Sequence, residues 1–219
     1  MIKFWKNNSL SIVMFLLFFI FLTGHSVTGL KQYNAEQELH SQPTVSYVKY
    51  LGSGDFIESV FENWESEFLQ MGSYVLLTVF LQQKGSAESK KLEGGEDVDR
   101  DPKKTKNPDA PGPVKRGGLA LKLYKNSLSI AFVLLFLMSF ALHGLGGANM
   151  ACEENQAHGQ PCESTLGFMT SSEFWYQSFQ NWQSEYLAVF AIVILSVYLR
   201  QQGSPESKPV NTPHYGTGS

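Results

Sequence analysis

The chain of 219 residues has 17% charged side chains, fewer than the roughly 25% that is usual in soluble domains. Hydrophobic residues make up 43%, and the mean hydropathy of −0.14 conceals a separation of apolar blocks from charged stretches. The sequence has no phosphate-binding loop, no dinucleotide fingerprint and no basic stripe suited to nucleic acid. These features argue against a nucleotide-dependent enzyme and a nucleic-acid partner, and they favour a membrane protein.

The chain contains an internal duplication: residues 8–90 align with residues 126–208 without a gap. We call these the first copy and the second copy. A repeat of this length predicts two similar structural units. The expected organisation is a first membrane repeat, a linker, a second membrane repeat and a tail, at 1–84, 85–118, 119–202 and 203–219.

Each copy begins with an apolar block of membrane-helix length. The blocks at 10–27 and 128–145 contain no Lys, Arg, Asp or Glu, and about 18 such residues are enough to predict a transmembrane helix. Lys3 and Lys6 ahead of the first block resemble the start of a signal peptide. No A-x-A-like cleavage site follows, however, and the internal block cannot be a signal peptide. We therefore predict that both blocks are retained spans.

A second helix pattern in each copy has a shorter apolar part, at 68–81 and 186–199. About 14 helical residues rise only about 21 Å, less than the hydrocarbon core of about 30 Å. The preceding boxes, FENWESEFL and FQNWQSEYL, must therefore complete the span. Trp64 and Trp182 in these boxes are predicted interface anchors. The expected fold is all-α: four transmembrane helices in two tandem hairpins, related by a pseudo-twofold axis along the membrane normal.

The distribution of basic residues predicts the orientation. Only Lys31 and Lys49 lie in the two segments that join the helices within each copy. By the positive-inside rule, both termini and the linker are cytoplasmic. The linker at 85–118 is charged and rich in Pro and Gly, which predicts a disordered tether, and the tail at 203–219 is predicted to be flexible.

Four motifs recur in tandem: NSLSI, E-x-x-x-H-x-Q-P-x-x-S, F-x-N-W-x-S-E-[FY]-L and G-S-x-E-S-K. Together they resemble a family of small bacterial membrane proteins that is known only as a domain of unknown function. The resemblance covers nearly the whole chain apart from the linker. It implies a bacterial inner-membrane protein with four helices, and it implies no activity.

Two histidines and two glutamates are predicted to meet inside the membrane. His25 and His143 lie near the outer ends of the first helices, and Glu67 and Glu185 lie near the outer ends of the second. Because intramembrane ionisable groups are costly and usually paired, we predict the contacts His25–Glu67 and His143–Glu185. A structural hydrogen bond, a protonatable relay and simple access to interfacial water all remain open as their role.

Asn63 precedes Glu67 by one helical turn, as Asn181 precedes Glu185, so each pair shares a helix face. This face could cross-link the two copies across the pseudo-axis. The flanking aromatic residues have the spacing of a helix–helix core more than that of a ligand site. The acids at positions 62 and 65 are amides in the second copy, and we interpret them as dispensable to the pattern.

The outer segments contain a candidate metal motif. Glu36 and His40 are spaced i, i+4, as are Glu154 and His158, and this spacing can place two ligands on one helix face. A plain side-chain pair before the following proline is the simpler interpretation.

Cys152 and Cys162 flank the second of these motifs, whereas the first copy has Asn34 and Thr44 at the corresponding positions. An oxidising compartment would permit a disulfide. A disulfide and two free thiols both remain open.

These patterns predict a non-enzymatic inner-membrane protein with a structural, scaffolding or envelope-associated role and without a cofactor. Its partner is the lipid bilayer. A small transporter or channel with the His–Glu pairs along its pathway is the alternative, which would require a homodimer, and an enzyme is the third choice.

Overall fold

The computed structural model describes residues 2–105 and 107–218, and this part of the chain is all-helical, without a strand. Met1, Lys106 and Ser219 lie outside the described residues. The α-helices are α1 Ile2–Leu39, α2 Tyr47–Tyr50, α3 Gly54–Phe80, α4 Gly112–Arg116, α5 Gly118–Tyr124, α6 Ser127–Ala157, α7 Thr165–Met169 and α8 Ser172–Tyr198. Two 3-10 turns lie at Asp97–Asp99 and Pro102–Lys104.

The first helix of each copy continues well beyond its apolar block. In α1 the helix ends just before Ser41, which has φ of 57°, and Pro43 follows. In α6 it ends just before Gly159, which has φ of 71°, and Pro161 follows. A left-handed residue and a proline both stop an α-helix, so the repeated box sets the same endpoint in both copies.

Two described helices, at Lys3–Leu39 and Ser127–Ala157, are long and apolar enough to cross a membrane. Only 6% of the most apolar stretch of the first is buried, and 17% of that of the second, so most of each apolar stretch is exposed. The helices α3 and α8 do not meet the same test. Their Asn–Trp–Ser–Glu boxes place polar residues within any stretch long enough to span. Two of the four predicted spans are thus supported by length and composition.

The chain divides into two compact units. Unit 1 comprises Met1–Phe61 and Leu142–Phe174, and unit 2 comprises Glu62–Ala141 and Trp175–Ser219. Each unit takes segments from both copies, so the compact units do not coincide with the repeats along the sequence.

Unit 1 contains the part of a helical hairpin in the first copy where the C-terminal end of α1 meets the segment that follows it. The partners of α1 move forward along the chain as the α1 residue number falls: Asn34 bonds Val45, Ser26 bonds Tyr47 and His25 bonds Ser59. This order is that of antiparallel neighbours. Elsewhere in unit 1, a Cβ on Gly146 would lie 2.4 Å from the backbone nitrogen of Glu58, so α6 and α3 approach backbone to backbone.

In unit 2, α3 and α8 run parallel to each other. Three side-chain pairs rise together along both helices, namely Glu62–Asn181, Ser73–Tyr186 and Ser86–Ser196. The last pair includes a residue of the turn that follows α3. Antiparallel contacts between α6 and α8 complete this unit, because Phe140 packs near Trp175 and Phe136 near Trp182.

The G-S-x-E-S-K motif forms the same turn after both α3 and α8. Ser89 Oγ accepts the backbone N–H of Gln83 at 2.9 Å, and Ser207 Oγ accepts that of Gln201 at 2.9 Å. The motif glycine has φ of 86° in the first copy and 84° in the second, a conformation that favours glycine. The motif is therefore a shared stop that satisfies backbone groups beyond the helix end.

The linker contains the two 3-10 turns and α4, and Lys90 at its start pairs with Asp99 at 2.9 Å. The predictions of a disordered linker and a flexible tail concern motion, and they stay predictions.

Candidate functional site

Unit 1 contains a cluster of a histidine, two aromatic rings and a glycine. In the first copy, the His25 ring lies 5.8 Å from the Phe56 ring, and Phe56 lies 5.4 Å from Tyr50. A Cβ on Gly29 would lie only 2.2 Å from the Tyr50 hydroxyl oxygen. Glycine is therefore required for the α2 tyrosine to pack against α1.

The second copy builds the same cluster from the corresponding residues. The His143 ring stacks on Phe174 at 4.5 Å, and Phe174 lies 5.9 Å from Phe168. A Cβ on Gly147 would lie 2.3 Å from Phe168 Cε1. The repeated histidine and glycine thus mark a packed joint between the first helix of each copy and the short helix that follows it.

The two clusters differ in polarity. The Tyr50 hydroxyl hydrogen-bonds the carboxylate of Asp55, whereas Phe168 has no hydroxyl and Glu173, at the position of Asp55, is exposed. Burial raises the pKa of Asp55, and the hydrogen bond from Tyr50 partly opposes this effect. Burial and the Asp55 charge also raise the pKa of Tyr50. The first cluster therefore joins its tyrosine to a half-buried carboxylate, and the second has a phenylalanine at the position of that tyrosine.

The histidines have partners within unit 1. A ring nitrogen of His25 lies 3.2 Å from Ser59 Oγ, roughly two turns before Glu67 on α3. His143 is fully buried, and a ring nitrogen lies within 4.8 Å of a carboxylate oxygen of Glu58. The pairings of the histidines with Glu67 and Glu185 stay predictions.

Glu65 is a buried acid whose role the sequence analysis missed. It is fully buried in unit 2, where its Oε1 accepts the Ser178 hydroxyl at 2.8 Å and the Trp182 indole N–H at 3.2 Å. One turn earlier, Glu62 accepts a hydrogen bond from the Asn181 amide. The acids interpreted as dispensable therefore bind the second copy directly.

A signal for this interaction exists in the sequence. The two boxes differ at three aligned positions: Glu62 and Glu65 align with Gln180 and Gln183, and Phe68 aligns with Tyr186. Carboxylates that only one copy has at equivalent positions predict that this copy alone meets hydrogen-bond donors there, as Glu65 meets Ser178 and Trp182. The acid-to-amide difference therefore indicated an interface.

The remaining residues of the box occupy several environments. Trp182 lies in an aromatic group with Phe136, Trp175 and Phe179, in addition to its bond with Glu65. The Trp64 ring packs near Phe68, and the Asn63 carbonyl accepts the Ser66 hydroxyl. The interface-anchor role of the two tryptophans stays a prediction.

Glu67 is exposed, Glu185 is half-buried, and the two carboxylates of unit 2 interact electrostatically. They occupy the same position in their copies. Like charges repel, so this pair does not stabilise the contact between α3 and α8 in the way that Glu65 does.

The metal candidates Glu36, His40, Glu154 and His158 are exposed. Glu36 accepts a hydrogen bond from Gln32, and His158 Nδ1 lies 2.9 Å from the carbonyl oxygen of Glu154. These local contacts fit side-chain pairs at a helix end, and metal binding by this motif stays a prediction.

The cysteines are joined in the structure: Cys152 and Cys162 form a disulfide with Cα atoms 4.6 Å apart. In the first copy, Asn34 Oδ1 accepts the Val45 N–H at 2.8 Å, and its Nδ2 donates to the Val45 carbonyl at 3.1 Å. Each copy therefore ties the end of its first helix to the segment beyond the proline.

The all-helical fold and the two exposed apolar helices define the class as a candidate integral membrane protein. Within that class, the chain belongs to the family described as Domain of unknown function (DUF6766), which matches residues 1–219. No curated protein and no solved structure matches the chain.

Proposed function

We propose that this protein is a multi-pass protein of the bacterial inner membrane with a structural, scaffolding or envelope-associated role. It would cross the membrane four times, as two tandem hairpins about a pseudo-twofold axis, with both termini and the linker in the cytoplasm. The observation that carries the membrane part is the exposure of the apolar side chains of α1 and α6.

Exposed apolar helices of this length are stable only where water does not reach them. Each Å² of apolar surface left in water forgoes about 25 cal/mol. Among the described residues, consecutive large side chains from Met14 to Phe21 are all at least 40% exposed. A lipid environment covers such a surface on all sides, which a surface helix of a soluble domain does not require.

The argument for α3 and α8 as further spans rests on different features. Neither helix contains Lys or Arg, and the second half of each is apolar. Their polar halves bond each other, as Glu65 does with Ser178 and Trp182. A polar group satisfied in this way is tolerated in a membrane.

The structural role is supported by polar side chains that form hydrogen bonds between helices. His25, Asn181 and Glu65 each bond a neighbouring side chain or helix within one unit. Groups bound in a packed contact are suited to holding helices together.

Carbonate extraction and topology reporters test this proposal. We expect the protein to stay with membranes at alkaline pH. A reporter active only in the cytoplasm should fluoresce when fused after residue 100 or at the C-terminus, and it should be dark after residue 45 or 163. Release into the soluble fraction would refute the membrane proposal, and a dark fusion after residue 100 would refute the four-span topology.

A transporter or channel is the second candidate, and one observation favours it. Glu65 is a fully buried carboxylate on a helix whose second half is apolar. Buried intramembrane acids often lie on ion pathways. Proton flux into liposomes with the reconstituted protein, lost on Glu65→Gln and kept on Gln183→Glu, would support transport. Flux equal to that of empty liposomes would favour the scaffold, and cross-linking in native membranes would test for the homodimer.

A further inference from the structure

We propose that residues 209–218 form an intramolecular clasp, locked by Lys208, which fastens the end of α8 to the turn that follows α3. All of the contacts involved lie within unit 2. The proposal is independent of whether the protein crosses a membrane, because it rests only on contacts beyond the helix ends.

The lock is an ammonium group surrounded by backbone carbonyls. Lys208 is 1% exposed, and its Nζ donates to the carbonyl oxygens of Gly216 at 2.8 Å, His214 at 3.1 Å, Pro213 at 3.4 Å and Val197 at 3.4 Å. Three of these carbonyls belong to the clasp, and the fourth belongs to α8. The cage therefore exists only while the tail folds back onto the helix.

A second cation strengthens the attachment to α8. Arg200 donates through Nη2 to the Thr212 carbonyl at 3.1 Å and through Nη1 to the Ser196 carbonyl at 3.1 Å. The Nδ1 of His214 lies 3.2 Å from the Val197 carbonyl oxygen. The final carbonyls of a helix lack helical partners, so donors from the tail satisfy groups that would otherwise need water.

The far end of the clasp reaches the first copy. Gly85 N–H donates to Thr217 Oγ1 at 2.9 Å, and Gly218 N–H donates to the Ser86 carbonyl at 2.9 Å. Ser86 Oγ in turn lies 2.9 Å from Ser196 Oγ on α8. One short segment thus contacts the terminal turn of the first copy and the helix end of the second.

The corresponding lysine of the first copy shows that this environment is specific. Lys90 occupies the same position of the G-S-x-E-S-K motif, but it is half-buried and forms an ordinary ion pair with Asp99. Among the described residues, the hydrogen-bond acceptors of the Lys208 ammonium are carbonyl oxygens, and burial together with the Arg200 charge lowers the pKa of Lys208. Lys90 is therefore a matched control for Lys208.

Hydrogen exchange on the full-length protein in detergent tests the clasp. In the wild type we expect slow exchange at the amides of Gly85 and Gly218, which donate across the clasp. Lys208→Met removes all four ammonium bonds while keeping the length of the side chain. It should accelerate exchange of both amides at least about 10-fold, the factor that corresponds to losing about 1.4 kcal/mol of clasp stability. Lys90→Met should leave both rates within about twofold of the wild type.

Fast exchange of both amides in the wild type would overturn the proposal, and so would unchanged rates in Lys208→Met or equal acceleration in Lys90→Met. The wild-type measurement decides the matter even if Lys208→Met does not fold. A cysteine pair gives a second readout, because Ser86→Cys and Ser196→Cys place thiols at a close contact. Oxidative cross-linking of this pair should slow several-fold in Lys208→Met, and an undiminished rate would contradict the clasp.

Discussion

The turns after α1 and α6, which the predicted topology places outside the membrane and which we call the outer turns, make the same connection with different chemistry. In the first copy the Asn34 amide forms two hydrogen bonds with the backbone of Val45. In the second copy a disulfide joins Cys152 to Cys162. Both copies thus join the end of the first helix to the segment beyond the proline, but they do so with different side chains.

The contact between α3 and α8 shows a different outcome of duplication. There the two copies meet, and the acid of one, Glu65, bonds the hydroxyl and indole of the other, Ser178 and Trp182. Gln183 takes the place of Glu65 in the second copy and is exposed. At the outer turns, the two copies make the same connection with hydrogen bonds in one case and a disulfide in the other. At the contact between α3 and α8, the difference in sequence makes the side chains of the two copies complementary.

The largest expected effect is that of Glu65→Ala. This substitution leaves the Ser178 hydroxyl and the Trp182 indole without their acceptor inside a packed contact, which costs on the order of 3 kcal/mol. The matched change Gln183→Ala removes an exposed amide and should stay within about 0.5 kcal/mol of the wild type. Denaturant unfolding in detergent measures both, and equal effects would contradict the assigned asymmetry.

Removal of the disulfide is the next largest change. Cys152→Ser with Cys162→Ser frees a loop of about 10 residues, and we expect a loss of about 2–3 kcal/mol in the free energy of unfolding. Asn34→Ala should cost less, about 1–2 kcal/mol, because it removes hydrogen bonds without opening a covalent loop. A reductant should lower the midpoint of the wild type and leave the double serine variant unchanged.

A transplant sharpens the same comparison. Asn34→Cys with Thr44→Cys should give the first copy a disulfide like that of the second. Mass spectrometry without reductant should then show two bridges, and two free thiols in that variant would mean that the outer turns differ in backbone geometry.

The glycine of the aromatic cluster gives a smaller effect. Gly147→Ala places a methyl group against the buried Phe168 ring, and overpacking of this kind costs about 1–3 kcal/mol. Phe168→Leu should restore part of the loss by making room. Gly24→Ala is the control, since a Cβ there meets nothing within 4 Å. It should be neutral or slightly stabilising in the unfolding measurement, by up to about 1 kcal/mol.

The smallest effect concerns the pH dependence of the first cluster. Burial raises the pKa of Asp55, so the folded protein holds this proton more tightly than the unfolded chain does. The resulting stability is present at low pH, and it is lost as the pH rises from the ordinary range of an aspartate through the raised value. Asp55→Asn should flatten this decline in thermal midpoint, while Glu173→Gln, its exposed counterpart, should not. An identical slope in both variants would assign the decline to other acids.

Local patterns carried much of the architecture. The duplication, the apolar blocks and the endpoints of α1 and α6 follow from residue identity, periodicity and the stop signals near Pro43 and Pro161. The turn of G-S-x-E-S-K is equally local, because its serines bond backbone groups a few residues away. Such features need no knowledge of which helices become neighbours.

The candidate site could be predicted only in part, because its contacts depend on which helices become neighbours and on how those helices are rotated. The sequence singled out His25 and His143, and their depth in each hairpin led to the predicted contacts with Glu67 and Glu185. Depth in a hairpin says nothing about rotation of the helices, so the sequence could not predict the other partners of the two histidines. Rotation decides that His25 lies at Ser59 and that His143 stacks on Phe174. It also decides that Glu65 is buried while Glu67 on the same helix is exposed.

The sequence by itself therefore determined that the chain is duplicated, helical and of a composition compatible with a membrane. The repeat and the length of the apolar blocks can be read directly from the order of the residues. Only the tertiary structure showed which groups bond each other. Lys208 bonds the carbonyl oxygens of the clasp, buried Glu65 bonds Ser178, and Asn34 bonds the backbone where the second copy has a disulfide. The physical reason is that hydrogen bonds and burial depend on which groups meet in space. The groups that meet here are separated in sequence by 10 residues, as Cys152 and Cys162 are, or by more than 100, as Glu65 and Ser178 are.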